Sequence, residues 1–153
     1  MGFDAHTFVP GRKLILGGVE IDHPEGLAGH SDADVLSHAV ADALLGAARL
    51  GDLGDFFPPD EKWKDASSIE LLELAAAAVR RAGWKTVNVD ATLVAERPKL
   101  SSHRARMAEN VAAAIGIGVG DVSIKATTTD GMGYVGRGEG MSALAVVLID
   151  RAH

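Results

Sequence analysis

The stretch DADVLSHAVADALLGAARL, residues 32–50, constrains the fold more than any other part of the chain. It contains no proline and only Gly46, so a long helix is the conformation it opposes least. Setting Leu36 at 0° and stepping about 100° per residue, Val40, Ala43 and Ala47 fall within about 40° of it. A helix with one apolar stripe must bury that stripe against a second layer. Ser31 or Asp32 is placed to cap its N-terminus. His38 falls near 200° on the same wheel, with Asp34 and Asp42 near 160° and 240°. The spacing therefore turns His38 away from the core, between two carboxylates that could orient its imidazole. A solvated polar face is the ordinary explanation of such a histidine. Leu45 shares that side, however, so the face is not uniformly polar.

What the helix packs on is readable in the rest of the chain. Residues 3–8 and 13–19 read as short strands around a turn at Pro10-Gly11. Residues 85–96 alternate, with Val87, Val89, Ala91, Leu93 and Ala95 on one side, and residues 122–127 and 142–150 are further strands. A second helix opens at Ser67 with a capping-box pattern, Ser67-Ser68-Ile69-Glu70, and ends before Gly83. A third spans residues 102–115 and stops at Gly116. The segments 22–32 and 51–63 read as loops. The expected fold is α/β (α+β): one domain over residues 1–153, a mixed sheet with three main helices packed on it.

Bulk properties exclude several functions. With 153 residues and a net charge of -6, and no long basic run, the chain is poorly suited to neutralising nucleic-acid phosphates or docking on an anionic membrane. It has no cysteine, so any metal must be held by His, Asp or Glu. No stretch approaches the roughly 20 apolar residues of a membrane span, and MGFDAHTF lacks the features of a secretory signal. A cytoplasmic protein is expected.

Two blocks carry chemistry. In Asp4-Ala5-His6, strand alternation projects Asp4 and His6 to one side. With His38 they make three N/O ligands and leave a coordination position open. That set suits a catalytic zinc ion and equally a non-haem iron centre. Residues 125–140, KATTTDGMGYVGRGEG, combine three threonines, Lys125, Arg137 and five glycines, a composition suited to cradling an anion with backbone N–H groups and hydroxyls. A long hairpin loop would also use these glycines. Gly131 to Gly136 matches G-x-G-x-x-G, but a strand-like run follows it, so the dinucleotide-binding reading is rejected. There is no P-loop and no G-x-S-x-G elbow. Arg97-Pro98-Lys99 ends a strand and could supply a further cation, or be a solvated turn. His23, His103 and His153 have no ligand-like company and read as surface.

GFDAH (2–6), GGV (17–19), GHSDADVLSHAVADALLGAARLGDLGDFFP (29–58), NVDATLVAERPKL (88–100) and KATTTDGMGYVGRGEG (125–140) together resemble the 2-C-methyl-D-erythritol 2,4-cyclodiphosphate synthase family over nearly the whole chain. The resemblance implies a homotrimer with active sites between subunits. It implies conversion of 4-diphosphocytidyl-2-C-methyl-D-erythritol 2-phosphate to the cyclic diphosphate, with release of CMP. By position, Asp4, His6 and His38 correspond to the family's zinc ligands, and Asp130, where Glu is common, to the ligand of a magnesium or manganese ion. His30 and Thr128 correspond to residues that stabilise the transition state. Asp52 and Gly54 fall at contacts to the methylerythritol part, and Ser31 at a substrate-binding position. Ala95, Pro98, Lys99 and Leu100, with Thr127, Thr128 and Thr129, fall at the cytidine and diphosphate contacts, and Tyr134 and Arg137 at contacts near the trimer axis. Rival readings of the same ligand triad are a hydrolase, an oxygenase, or a metal-stabilised module that binds isoprenoid diphosphates without turnover.

Overall fold

The computed structural model describes residues 1–153. In chain order it contains β1 (Gly2–Pro10), β2 (Leu14–Leu16), β3 (Val19–Ile21), β4 (Glu25–Leu27), α1 (Val35–Ala47), α2 (Leu53–Phe56), α3 (Ser68–Arg81), β5 (Trp84–Val94), α4 (Arg104–Ile115), β6 (Val122–Thr127), α5 (Gly133–Gly136) and β7 (Gly140–Arg151). Five strands form a mixed sheet in the order β4-β1-β7-β5-β6, in which only β5 and β6 run parallel. The helix α1 lies across β1 and β7, α3 packs beside it, and α4 covers β6. No helix is long and apolar enough to cross a membrane.

The three main helices, the strand over 122–127 and the stop at Gly116 match expectation; several details do not. Residues 13–19 are not one strand. Gly17 and Gly18 adopt positive φ (55° and 69°) and split the segment into the β2–β3 hairpin. Glu25–Leu27, read as loop, pairs with the end of β1 as an edge strand. The loop 51–63 contains the helical turn α2 and a 3-10 turn at Glu61–Trp63, and the loop 131–139 contains the helical turn α5. Val87 is 38% exposed because the β5–β7 register slips between Thr86 and Asn88, so the bulge takes it out of the stripe that buries Val89, Ala91 and Leu93.

The cap of α1 is Asp34, two or three residues later than expected. Its carboxylate accepts from Ser37 N and the Ser37 hydroxyl, and from the backbone N–H of Gly17 and Gly18 in the β2–β3 turn. Asp34 thus joins the start of α1 to a hairpin rather than facing His38. The Ser67 capping box does not form; the side chain of Asp32 takes the N–H of Ser68 instead, at 3.1 Å.

Gly2 sets how closely α1 approaches the sheet. A Cβ there would stand 2.0 Å from the carbonyl oxygen of Ala39 and 2.7 Å from Ala43 N. Only hydrogen at this position lets the helix backbone lie on β1, which brings His38 within reach of strand side chains. On the opposite face of the sheet Phe3, Leu144, Val146 and Leu148 are 38–57% exposed, an apolar surface that no element of the chain covers.

Candidate metal and phosphate site

Alternation along β1 turns Asp4 and His6 toward the helices and Phe3 and Ala5 to the open face. His38 descends from α1 to meet them. Its Nδ1 lies 2.9 Å from Asp4 Oδ2, His6 Nε2 lies 2.8 Å from the same oxygen, and the two nitrogens are 3.3 Å apart. Donors on a tetrahedral zinc stand about 3.3 Å apart at ordinary bond lengths. The three atoms therefore already occupy near-coordination spacing, and the group fits a divalent metal ion. Burial pushes the Asp4 carboxyl up, but hydrogen bonds from His38 and His6 and their positive charge outweigh it and hold Asp4 at about 2. Burial likewise opposes charge on His38, and the Asp4 hydrogen bond with the carboxylates of Asp4, Asp34 and Asp32 raises it nonetheless. The pocket is built for positive charge.

The wheel's picture of His38 needs correction. The helix α1 is buried almost all round, and His38 is only 9% exposed. Asp42, expected beside it, accepts from Leu53 N at 3.2 Å and so anchors α2. The partners of His38 Nε2 are the hydroxyls of Ser68, at 2.9 Å, and Ser31, at 3.1 Å. Ser68 comes from the start of α3, thirty residues downstream, so no local pattern could reveal it.

A cavity of about 300 Å³ opens beside the triad, lined by Phe3, Asp4, His38, Asp42, Asp52, Leu53 and Gly54. Asp52 caps α2 reciprocally with Asp55, which fixes Asp52 and Gly54 at the mouth. Gly29 stands against the His6 ring. The neighbouring His30 is exposed and donates from Nε2 to the carbonyl of Asp60.

The threonine block lies elsewhere. Residues following β5 and β6 enclose a second cavity of about 430 Å³, to which Ala95, Pro98, Lys99, Leu100, Thr127 and Thr128 contribute. Asp130 adopts φ 52° and is tied to Thr128, whose hydroxyl accepts from Asp130 N at 3.2 Å. Glu96, which no sequence signal singled out, organises this turn: its Oε1 accepts from Thr129 N at 2.9 Å and Gly131 N at 3.4 Å. The Thr129 N–H bond, chiefly, holds Glu96 below the usual carboxylate range. Arg97 turns to a third cavity, of about 270 Å³, with Arg137 and His23, and Arg137 pairs with Glu139 at 2.7 Å. Tyr134 is 40% exposed. His23 is not a free surface group; it is half-buried and stacked on Phe8 at 5.4 Å.

The triad cavity and the threonine cavity share no lining residue. Asp4 pairs across β7 through Ala143 to Leu93, so a whole strand stands between the two groups in one chain.

The chain matches the model of the YgbB family over residues 1–150. It is 54% identical over 152 residues to a 2-C-methyl-D-erythritol 2,4-cyclodiphosphate synthase of Syntrophomonas wolfei, covering 99% of this chain and 97% of that one. Among solved structures it resembles the bifunctional IspDF of Campylobacter jejuni, with a TM-score of 0.94 and 42% identity over 98% of this chain, and spans 41% of that longer protein. It also resembles a 2C-methyl-D-erythritol-2,4-cyclodiphosphate synthase in its CDP-bound form, with a TM-score of 0.88 and 34% identity over 97% of each chain. With its metal-binding triad and its mixed five-stranded sheet, the chain belongs to the YgbB family.

Proposed function

We propose that this chain is a cyclodiphosphate synthase, a lyase of the non-mevalonate route to isoprenoid precursors. It converts 4-diphosphocytidyl-2-C-methyl-D-erythritol 2-phosphate to 2-C-methyl-D-erythritol 2,4-cyclodiphosphate and CMP. The observation that carries the reading is the convergence of Asp4, His6 and His38 on one point beside a cavity, in a chain whose relatives bear that activity. The residues 1–153 act as one domain, in the cytoplasm, on a small-molecule nucleotide, without nucleic acid or membrane as partner.

In the reaction an oxygen of the 2-phosphate attacks the β-phosphorus, a new P–O bond closes the ring, and the bond to the CMP oxygen breaks with its electron pair leaving on CMP. The nucleophile is already an anion near neutral pH, so no general base is required. What the chain must supply is relief of anion–anion repulsion and an in-line arrangement. Asp4, His6 and His38 would hold zinc and Asp130 magnesium or manganese; such ions neutralise phosphate charge and act as templates. His30 and Thr128 donate to the charge that develops on the transferring phosphoryl group. Asp52 and Gly54 receive the methylerythritol part, and Lys99 with Ala95, Pro98, Leu100, Thr127 and Thr129 the cytidine diphosphate. Tyr134 and Arg137 face the trimer axis.

The reading includes a homotrimer, with each site made of the triad cavity of one subunit and the threonine cavity of its neighbour. Two observations support it. The two cavities are separate in one chain, and the uncovered sheet face carries Phe3, Leu144, Val146 and Leu148. Burying such a face between copies removes apolar area from water.

Incubating the purified protein with substrate, zinc and magnesium tests the proposal by phosphorus NMR. Equimolar cyclic diphosphate and CMP are expected. Linear hydrolysis products, or no turnover with metal bound, would overturn it.

A further inference from the structure

Two segments far apart in sequence meet behind the triad, on the side of His38 away from Asp4. Ser68 begins α3 and Ser31 precedes α1; their hydroxyls close on the Nε2 edge of the imidazole, with Asp32 behind Ser68. The Ser68 hydroxyl is fully buried and Ser31 is 7% exposed. Asp32 meets Ser68 twice, taking the backbone N–H at Oδ2 (3.1 Å) and the hydroxyl at Oδ1. Ser31 Oγ accepts from Ala33 N at 3.2 Å, which holds it beside Nε2.

Counting protons fixes the direction of this chain. An ionised carboxylate only accepts, so the single Ser68 hydroxyl proton goes to Asp32. Ser68 Oγ then faces His38 with lone pairs, and the bond at 2.9 Å requires the proton to sit on His38 Nε2. In the metal-free chain Nδ1 also carries a proton, given to Asp4 at 2.9 Å; with Nε2–H kept on Ser68, the proton a metal ion displaces is the one on Nδ1, and the lone pair so freed points at Asp4 and His6. Loss of the proton from Nε2 instead would leave the N–H aimed at the centre of the triad.

We propose that Ser68 and Asp32 are positioning residues that lock His38 in its Nε2–H tautomer and so present Nδ1 to a divalent metal ion; this rests on the reading of Asp4, His6 and His38 as metal ligands. The arrangement is a carboxylate–serine–histidine chain, in which a hydroxyl relays the orienting effect that a carboxylate more often exerts directly on a ligating histidine. Three elements contribute to it, so ligand orientation is coupled to the docking of α3 on α1.

The test is zinc affinity, measured on the full-length protein by competition with a chromophoric chelator, alongside the melting temperature of the metal-free form. Ser68→Ala and Asp32→Asn should each weaken zinc binding about 10- to 100-fold. Asp32→Asn works by the same count: the amide offers one acceptor oxygen to two Ser68 donors and turns an N–H toward the other. Ser68→Thr keeps the hydroxyl and should restore most of the affinity. Ser37→Ala removes an equally buried hydroxyl of α1 that bonds Asp34 rather than His38. It should lower the melting temperature and leave zinc affinity unchanged. Should Ser68→Ala not fold, Asp32→Asn and Ser68→Thr still give the comparison. Zinc affinity in Asp32→Asn and Ser68→Ala within twofold of the unmodified protein, or a loss in Ser37→Ala as large as theirs, would overturn the proposal. Absence of zinc binding by the unmodified protein would instead overturn the reading of the triad.

Discussion

Asp4 Oδ2 lies 2.9 Å from His38 Nδ1, a contact that joins the third residue of strand β1 to the first turn of α1 across the packing seam between sheet and helix. The same oxygen serves His6, so one carboxylate atom organises both imidazoles. This couples the stability of the seam to protons and to metal.

The metal-free protein should therefore show two pH-dependent losses of stability. Asp4 is lowered from 3.8 to about 2 on folding. Its contribution is present above 3.8 and is lost as pH falls from there toward 2. A shift of that size corresponds to about 2 kcal/mol. His38 is raised above 6.5, so its contribution is full below 6.5 and is lost as pH rises through the folded value. Denaturant unfolding of chelator-treated protein across pH measures both. Asp4→Asn should abolish the acid-side loss and shrink the alkaline one; an unchanged pH profile in that variant would contradict the assignment.

Gly2→Ala should disturb the seam directly. The added methyl meets backbone atoms of Ala39 and Ala43 at 2.0 and 2.7 Å, and neither can move without displacing α1. A loss of about 3 kcal/mol is expected, together with weakened zinc binding, because Asp4 follows two residues later. Calorimetry and chelator competition on the same sample would show whether the two effects travel together.

Glu96 should act on turnover rather than on folding. It is partly exposed, and every hydrogen bond it makes to the threonine turn ends on Oε1. Glu96→Gln keeps one acceptor oxygen and should remain close to full activity. Glu96→Ala frees the turn that carries Thr128 and Asp130 and should lower kcat about 10- to 100-fold, with little change in melting temperature. Steady-state CMP release measures it, and equal rates for the two variants would remove Glu96 from this role.

In the proposed homotrimer, placing charge on the open sheet face should separate the subunits. Val146 and Leu148 are 55% and 57% exposed in the single chain and lie outside its hydrophobic core. Val146→Asp or Leu148→Glu should shift sedimentation from trimer toward monomer and remove activity, while circular dichroism stays that of a folded chain.

How far the sequence could be read follows the range of each interaction. The pairing of Asp4 with His6 rests on the two-residue period of one strand, and α1 and its apolar stripe on a 3.6-residue period; both are local and both were legible. Gly116 ends α4 with φ 84°, again a local requirement. The errors arise where the chain returns to itself. Asp34 seemed a neighbour of His38 on the wheel, yet its carboxylate is taken by Gly17 and Gly18 of a hairpin. Asp32 appeared as a cap for its own helix and instead holds the first residue of another. Ser68 was hidden inside a capping box that does not form. Glu96 carried no periodic or motif signal, because its partners lie in a turn more than thirty residues away.

The central claim is that one working site draws its triad from one subunit and its threonine turn from the next. Subunit complementation tests it most directly. His38→Ala and Asp130→Asn proteins, each inactive alone, are unfolded together, refolded as a mixture and assayed for CMP release. Random trimers should place an intact triad opposite an intact threonine turn at about one quarter of the interfaces, and activity should return toward that fraction. A mixture as inactive as its parents, with mixed trimers confirmed by mass spectrometry, would contradict the account.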